Sequence, residues 1–239
     1  MSSENPICFA LDVSDYAQMR DLVQLLENDV GAFKVGLEAF IATRSVPASR
    51  RPIVFDLKLH DIPETVGRAV LAMRTAGDLG IRYATVHVQQ RAALEAALRA
   101  AEVAGVTLLG VTVLTSMVEH DLEDLSIGQA FADGTIRAPS VATRVRQLAQ
   151  FASTVGLRGF VCSPREVAEL RRISPPETFL LVPGVRAEGG EQGDQARVGT
   201  PQQAVRDGAN MIVVGRPIRD AADPVAAARA ILASVKGAL

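Results

Sequence analysis

Short apolar runs recur along the chain, and each is followed by a polar turn and then by a segment of helical character. The runs are nearly continuous in Val, Ile, Leu and Phe, which is typical of strands buried on both faces of a parallel sheet. Eight runs share this pattern: ICFALD, AFKVG, IVFDLKL, YATVHV, LLGVTVL, GFVCS, FLLVPGV and MIVVGR. We therefore predict eight buried strands.

The segments between the runs are predicted to be helices, because several begin with Pro in the first turn or with Ser or Thr at the N-cap. They are Ser14–Asn28, Pro63–Leu79, Arg91–Ala104, Ser140–Thr154, Pro164–Arg172, Thr200–Gly208 and Pro224–Val235. Strands that alternate with helices over 239 residues indicate an α/β fold, the (β/α)8 TIM barrel, with a doubly wound sheet as the alternative.

No linker or low-complexity tract divides the chain, so residues 1–239 are expected to form a single TIM-barrel domain. The one long connection is Met117–Pro139, after the fifth strand. We expect it to contain a short helix and a loop.

Polar residues gather where the predicted strands end. Asp12, Lys34, Asp56, Lys58 and His87 lie in or directly after the first four strands, and the later strands are followed by Thr115, Ser116, Arg186 and Arg216. In a TIM barrel the carboxyl ends of the strands form the catalytic face. These residues are therefore expected to converge around one mouth.

The stretch FDLKLHDIPETV, residues 55–66, is the most informative. Side chains alternate along a strand, so Asp56 and Lys58 are expected to point into the barrel. Phe55, Leu57 and Leu59 are expected to face the helices. Lys34 on the neighbouring strand would be a further partner, and Asp61 follows. The structural alternative is a buried ion-pair network that fixes strand register. An Asp–Lys pair inside a barrel costs several kcal/mol unless it is compensated. We favour a catalytic row of charges over this alternative, because Lys34 is adjacent and Asp61 follows.

A second signal lies near the end of the chain, where the Gly-rich stretch VPGVRAEGGEQGDQ follows the seventh strand and VVGRP follows the eighth. Loops at these two positions commonly form the phosphate site of this barrel. Gly215 would let the backbone approach an anion, and Arg216 would bind it. A Gly-rich loop alone is weak evidence, but its position favours a phosphate ligand.

Composition argues against several other classes of protein. The net charge is -2 and the Arg residues are scattered, so no nucleic-acid partner is expected. No apolar run approaches the length of a membrane span, and the first residues do not resemble a signal peptide, so we expect a cytoplasmic protein with no membrane partner. Cys8 and Cys162 lie in apolar runs and are predicted to be buried, unpaired residues.

Other candidate chemistry is weaker. His60 and His120 fit no metal-ligand spacing, so no metal is expected. His87 is interpreted as a core or supporting residue more readily than as a ligand. Ser116 has no His and Asp partners that the sequence can place, which argues against a serine nucleophile.

The stretch FDLKLHDIPETV resembles the D-x-K-x-x-D-I-P-x-T signature of the orotidine 5′-monophosphate decarboxylase family, bacterial type. The similarity extends to ALDV, FKVGLE, VTVLTS, PGVR with GDQ, and VGRPI, and covers nearly the whole chain. The D-x-K-x-x-D core is shared by a wider group of barrels, whereas its combination with Lys34 and the C-terminal loop is specific. The resemblance implies decarboxylation of orotidine 5′-monophosphate to uridine 5′-monophosphate without a cofactor.

The resemblance also implies particular roles in catalysis. Lys58 would donate a proton to C6 of the pyrimidine, and Asp56 would lie beside the substrate carboxylate. Lys34 would complete the row of charges. Asp61 and Thr65 would reach into the active site of the neighbouring subunit, which makes the expected assembly a homodimer.

The remaining implied roles concern substrate binding. Asp12 and Lys34 would contact the ribose hydroxyls, and the pyrimidine would lie against a group formed by Thr115, Ser116 and Pro183. The residues implied to hold the 5′-phosphate are Arg186, Gln195, Gly215 and Arg216. The binding energy of that remote phosphate would close the region 189–193 over the site.

Two rival functions stay open at this point. A sugar-phosphate decarboxylase or hexulose-phosphate synthase of the same barrel type would need Mg²⁺ held by acidic residues, one of them on the second strand, where this chain has Lys34. A non-catalytic nucleotide-phosphate binder would gain little from a charge directed at its ligand. Turnover with and without a chelator discriminates among the three.

Overall fold

The structure, a computed structural model, describes residues 5–74, 80–125, 129–130, 136–186 and 197–237. Its main strands are β1 Ile7–Ala10, β2 Ala32–Gly36, β3 Ile53–Leu59, β4 Ile81–His87, β5 Thr107–Val111, β8 Gly159–Val161, β9 Phe179–Val182 and β10 Met211–Val214. They are parallel and close into a barrel in the order β1-β10-β9-β8-β5-β4-β3-β2. Each overlaps one of the eight apolar runs, so the predicted TIM barrel is confirmed.

Helices surround the barrel. They are α1 Tyr16–Leu26, α2 Leu37–Thr43, α3 Pro63–Ala72, α4 Arg91–Ala104, α5 Glu119–Asp124, α6 Val141–Val155, α7 Val167–Ile173, α8 Pro201–Arg206, α9 Arg216–Arg219 and α10 Pro224–Lys236. All seven predicted helices are present, although the one predicted from Pro164 begins as a short 3-10 turn. The helix predicted over Pro63–Leu79 ends at Ala72, and residues 75–79 of that prediction lie outside the described residues. The helices α2 and α9 were not predicted, because each is short and directly follows a strand.

The connection Met117–Pro139 contains α5, as expected for a short helix. It also contains an element that was not predicted, an antiparallel pair of two-residue strands, β6 Gln129–Ala130 and β7 Ile136–Arg137. Strands of two residues carry too few positions for an alternating pattern to be recognised.

Helix starts follow from local chemistry. At the N-caps of α1, α6, α8 and α10 a side-chain oxygen accepts a hydrogen bond from a backbone N–H of the first turn; the cap residues are Asp15, Ser140, Thr200 and Asp223. Such caps satisfy donors that the helix itself leaves unpaired. Pro in the first turn of α3, α8 and α10 reinforces the start, because it lacks an N–H that would need a partner.

The core has two parts. A large outer cluster packs between strands and helices, and a smaller cluster fills the barrel interior with Cys8, Ala10, Ala32, Val54, Leu109, Val111, Val161, Leu181, Met211 and Val213. Cys8 and Cys162 are buried and unpaired, as predicted. Burial raises the pKa of the Cys8 thiol to about 12, so it remains a neutral packing residue.

The small residue Ala10 belongs to the interior cluster and also lines a cavity above it, at the carboxyl ends of the strands. No helix within the described ranges is both long enough and apolar enough to cross a membrane.

Candidate active site

A cavity of about 370 Å³ opens at the carboxyl ends of the barrel strands. Its floor is the top of the apolar interior cluster, including Val111, Val161, Leu181 and Val213. Its walls carry Asp12, Lys34, Asp56, Lys58, Thr115, Ser116, Pro183, Gly184, Arg186, Gly215 and Arg216. The predicted convergence of residues from distant parts of the chain is thus confirmed for most of the proposed site.

Four charged residues form a continuous row along one wall. Lys58 Nζ lies 2.9 Å from Asp56 Oδ2, and Lys34 Nζ lies 3.7 Å from the same oxygen. Lys34 Nζ also lies 3.1 Å from Asp12 Oδ1. Charges of opposite sign therefore alternate from Asp12 through Lys34 and Asp56 to Lys58. The side chains of Lys34 and Asp56 are only 12% and 13% exposed, whereas that of Lys58 is 37% exposed, so Lys58 is the cation open to a ligand.

The row keeps its two buried members, Lys34 and Asp56, ionised. Burial alone would raise the pKa of Asp56, but the two lysines and the hydrogen bonds it accepts outweigh burial and lower it. Burial alone would lower the pKa of Lys34, but the carboxylates of Asp56 and Asp12 outweigh burial and raise it. Both groups are therefore charged at neutral pH, and a substrate meets a fixed array of charges.

The chain has only three lysines, and two of them lie in this row. Arginine supplies nearly all the other positive charge. The difference matters chemically, because a lysine ammonium can release a proton to a carbanion, whereas a guanidinium remains protonated.

Glycine at position 36 makes room for the row. A Cβ there would lie 3.0 Å from Lys34 Nζ and 3.5 Å from Asp12 Oδ1. A side chain at the end of β2 would therefore press on this ion pair. The FKVG run ends in glycine at the point where the charges meet.

The third strand departs from regular geometry at the catalytic candidate. Lys58 has φ +51°, in the left-handed region that residues with a side chain seldom adopt. The pairing of β3 with β4 shifts register between Phe55 and Leu59. Asp56 and Lys58 do meet, as predicted, but through a bulge and not through simple alternation. Leu57 and Leu59 pack on the outer cluster, as expected.

Another part of the cavity lining has the character of an anion site. Gly215 and Arg216 stand at the end of β10, and Arg186 follows β9. The nearest atoms to a Cβ built on Gly215 would be Ala10 Cβ at 3.4 Å and Asp12 Oδ2 at 3.7 Å, so the backbone passes close to the first strand. Gln195 and the region 189–193 lie outside the described residues.

Asp61 and Thr65 do not line this cavity. Both are exposed at the start of α3, and Asp61 Oδ1 accepts a hydrogen bond of 2.6 Å from the backbone N–H of Ile62. Within one chain the row therefore ends at Lys58 and does not continue to Asp61.

His87 is half-buried, with its ring centroid 5.4 Å from that of His60. Burial, followed by the nearby His60 and Lys58, lowers the pKa of His87, so the ring is neutral at neutral pH. Its Nδ1 has no hydrogen-bond partner among the described residues. It does not line the cavity of the charge row, which agrees with a supporting position.

Comparison with known proteins supplies the family. Residues 5–231 match the model of the "Orotidine 5'-phosphate decarboxylase / HUMPS family". The chain belongs to this family. It is 45% identical to the orotidine 5'-phosphate decarboxylase of Anaeromyxobacter sp. (strain K), over 98% of this chain and 100% of the relative. It is 38% identical to that of Desulfosudis oleivorans, over 98% and 94% of the two chains.

A solved structure shares the same architecture. Orotidine 5'-phosphate decarboxylase from Lactobacillus acidophilus superposes with a TM-score of 0.78 at 30% identity, over 97% of this chain and 99% of the other. The family resemblance inferred from the sequence is therefore confirmed.

The sequence analysis did not identify a buried ion pair, Arg197–Glu166, that lies beside the cavity of the charge row. Arg197 Nη1 donates to Glu166 Oε1, and its Nη2 donates to the carbonyls of Val113 at 3.2 Å and Leu114 at 2.8 Å. Glu166 Oε2 accepts from the backbone N–H of Ser163 at 2.6 Å. The pair thus connects the segments that follow β5 and β8 to the segment before α8. The carbonyls that Arg197 binds after β5 directly precede Thr115 in the chain.

Arg197→Met is expected to lower the free energy of unfolding by about 3–5 kcal/mol, because it leaves the buried Glu166 carboxylate without its cation. Urea denaturation measures the change. Adding Glu166→Gln should recover part of the loss. The matched control is Arg172→Met, which breaks the exposed Arg172–Glu169 pair on α7 and should cost about 1 kcal/mol or less. Equal losses of unfolding free energy in Arg197→Met and Arg172→Met would contradict the view that burial makes the Arg197–Glu166 pair the more important of the two.

Proposed function

We propose that the protein decarboxylates orotidine 5′-monophosphate to uridine 5′-monophosphate and CO2, the last step of de novo UMP biosynthesis, without a cofactor. The observation that carries the proposal is the Asp12–Lys34–Asp56–Lys58 row, set in a cavity that extends to Gly215 and Arg216. Gly215 and Arg216 suit an anion, and the row places the Lys58 ammonium beside the Asp56 carboxylate. Membership of the family and the names of the relatives support this substrate.

The substrate would span the cavity. Its phosphate would bind Arg186, Gly215 and Arg216, with Gln195 as a further contact. Its ribose hydroxyls would bind Asp12 and Lys34. The pyrimidine would then lie against Thr115, Ser116 and Pro183, and C6 and its carboxylate would lie at Asp56 and Lys58. All five residues line the cavity.

The chemistry follows from this arrangement. Breaking the bond between C6 and the carboxylate leaves an electron pair on C6, with no adjacent π system to delocalise it. The Lys58 ammonium, 2.9 Å from Asp56, is already in place when that charge develops. It would stabilise the charge and then donate a proton to C6. CO2 would leave as a neutral molecule, and Lys58 would be regenerated from solvent. Asp56 would repel the substrate carboxylate, a repulsion that departure of CO2 relieves.

The rival that uses Mg²⁺ and a sugar phosphate fits the donor set poorly. Its metal would require an acidic residue on the second strand, where Lys34 places an ammonium 3.7 Å from Asp56 and 3.1 Å from Asp12. The described residues contain no group of three or more His, Cys, Asp or Glu side chains arranged to hold an ion. The ammonium groups fill the positions in which a cation would balance these carboxylates.

A homodimer is part of the proposal. Asp61 and Thr65 are exposed outside the cavity of their own chain, beside the exposed Ile62. Leu37 and Ile41 on α2 are also exposed apolar residues. An interface that covers this apolar surface would let Asp61 and Thr65 complete the neighbouring site, with Asp61 extending the row of charges.

Arg216→Ala is expected to raise the KM for the nucleotide about 10- to 100-fold, because it removes charge-assisted hydrogen bonds to the phosphate. Turnover should also fall, since binding energy at the phosphate is used to close the site. Steady-state kinetics checks both effects. The matched comparison is orotidine without its phosphate, on which wild type and variant should act equally. A variant with unchanged kinetics on the nucleotide would contradict the role of Arg216.

The proposed function is tested by following the ultraviolet absorbance of orotidine 5′-monophosphate after the purified protein is added, with and without EDTA. We expect loss of substrate that is insensitive to EDTA and yields uridine 5′-monophosphate. Absence of turnover, or turnover abolished by EDTA and restored by Mg²⁺, would overturn the proposal.

A further inference from the structure

Thr85, in the middle of β4, is fully buried and holds two catalytic candidates at once. Its Oγ1 donates a hydrogen bond of 2.9 Å to Asp56 Oδ1. The same oxygen accepts one of 2.8 Å from the backbone N–H of Lys58. Nothing in the sequence singled this residue out, because threonine is β-branched and such residues are common in strands such as YATVHV.

The contact occupies a gap in the sheet. Phe55 pairs with Ala84 and Leu59 pairs with Val86, so β3 has three residues where β4 has Thr85 alone. A bulge of this kind leaves backbone groups without ladder partners. The Thr85 hydroxyl takes the place of a carbonyl for the Lys58 N–H, at the residue whose φ is +51°.

The direction of both hydrogen bonds is fixed. A backbone N–H only donates and an ionised carboxylate only accepts, so the single hydroxyl proton must lie toward Asp56. Asp56 Oδ1 is thereby occupied, and Oδ2 is left to the two lysines, at 2.9 Å from Lys58 and 3.7 Å from Lys34. One buried hydroxyl therefore sets both the rotation of the carboxylate and the backbone that aims Lys58.

We propose that Thr85 is a positioning residue for the decarboxylation, holding Lys58 in its left-handed conformation and Asp56 in the orientation that faces both lysines. The inference rests on the proposed function for its kinetic consequences, but its geometric content does not. Thr85 does not itself line the cavity, so it acts through Asp56 and Lys58 and not on the substrate.

The test compares Thr85→Val, which keeps shape and β-branching but removes the hydroxyl, with Thr85→Ser, which restores it. Thr85→Val is expected to lower kcat about 100-fold, the scale of a displacement near 1 Å, with little change in KM. Thr85→Ser should recover most of that loss. The matched control is Thr112→Val, because the buried Thr112 hydroxyl has no partner among the described residues. That variant should keep wild-type kcat.

A pH profile separates positioning from simple loss of stability. Asp56 is faced by Lys34 from β2, Lys58 from β3, and Thr85 and His87 from β4, with Asp12 beyond Lys34. The Thr85 hydrogen bond favours the ionised carboxylate. Removing it raises the pKa of Asp56, so the acidic limb of kcat/KM should move to higher pH in Thr85→Val and return in Thr85→Ser.

A crystal structure of Thr85→Val gives a readout that does not depend on activity. We expect Lys58 to leave the left-handed region and its contact with Asp56 to lengthen. A variant that keeps the bulge, the contact and the wild-type kcat and pH profile would overturn the inference. Wild-type protein that fails to decarboxylate the nucleotide would instead overturn the proposed function, and the variant structure would still decide the role of Thr85.

Discussion

Lys58→Ala is expected to lower kcat by about 10⁴-fold, the largest effect of any single substitution considered, while uridine 5′-monophosphate still binds. The loss would combine the two functions proposed for this one ammonium: stabilising the electron pair that CO2 leaves on C6, and supplying the proton that replaces it. The Lys34 ammonium cannot substitute, because it is the more buried of the two and is engaged by both Asp12 and Asp56. Single-turnover kinetics measures the chemical step, and equilibrium titration measures binding.

Lys58→Arg separates charge from proton delivery, because a guanidinium keeps the positive charge and does not release a proton. We expect it to remain severely impaired. The matched control is Lys236→Ala, which removes the only lysine outside the row, exposed at the end of α10. It should leave turnover unchanged. Near-wild-type kcat in Lys58→Ala would remove the central residue from the mechanism.

Mixing two inactive variants should restore activity if the site is shared between subunits. Lys58→Ala damages the cavity of its own chain, whereas Asp61→Ala is expected to damage the cavity of its partner. In a hybrid dimer one site then contains an intact Lys58 and an intact Asp61. Random exchange makes half of the dimers hybrid with one good site of two, so about a quarter of wild-type activity should return. The measurement is turnover after the two proteins are unfolded and refolded together.

The control for this experiment is a mixture of Lys58→Ala with Lys34→Ala. Both substitutions damage the cavity of their own chain, so every hybrid site remains defective and no activity should return. Recovery in both mixtures, or in neither, would contradict the assignment of Asp61 to the neighbouring site. The exposure of Asp61 outside its own cavity is the structural reason to expect recovery only in the first.

The barrel was predictable because its strands are buried on both faces, which gives each one a short, nearly continuous apolar run. The charge row was predictable for the converse reason. Asp56 and Lys58 interrupt such a run, and burying charged groups is costly unless they are paired. The meeting of Lys34 with Asp56 required only that β2 and β3 be neighbours, which the chain order suggests.

The geometry of Lys58 was not predictable. The sequence shows the same alternation of charged and apolar residues for a regular strand as for a bulged one, so it contains no trace of the register shift. Thr85 was hidden because its hydroxyl supports the bulge while its methyl group suits an ordinary buried strand. Arg197 was not recognised because it follows a Gly-rich stretch of sequence, where charged residues are usually solvated, although its side chain is buried against Glu166.

The charge row is proposed to stabilise a carbanion at C6 without a metal. The most direct test of this proposal is exchange of the C6 hydrogen of uridine 5′-monophosphate in D2O with EDTA present, followed by proton NMR, since the reverse of protonation generates the same carbanion. We expect wild-type protein to catalyse the exchange and Lys58→Ala not to catalyse it. Decarboxylation by the wild type without any exchange, or exchange at equal rates in the two proteins, would contradict the proposal.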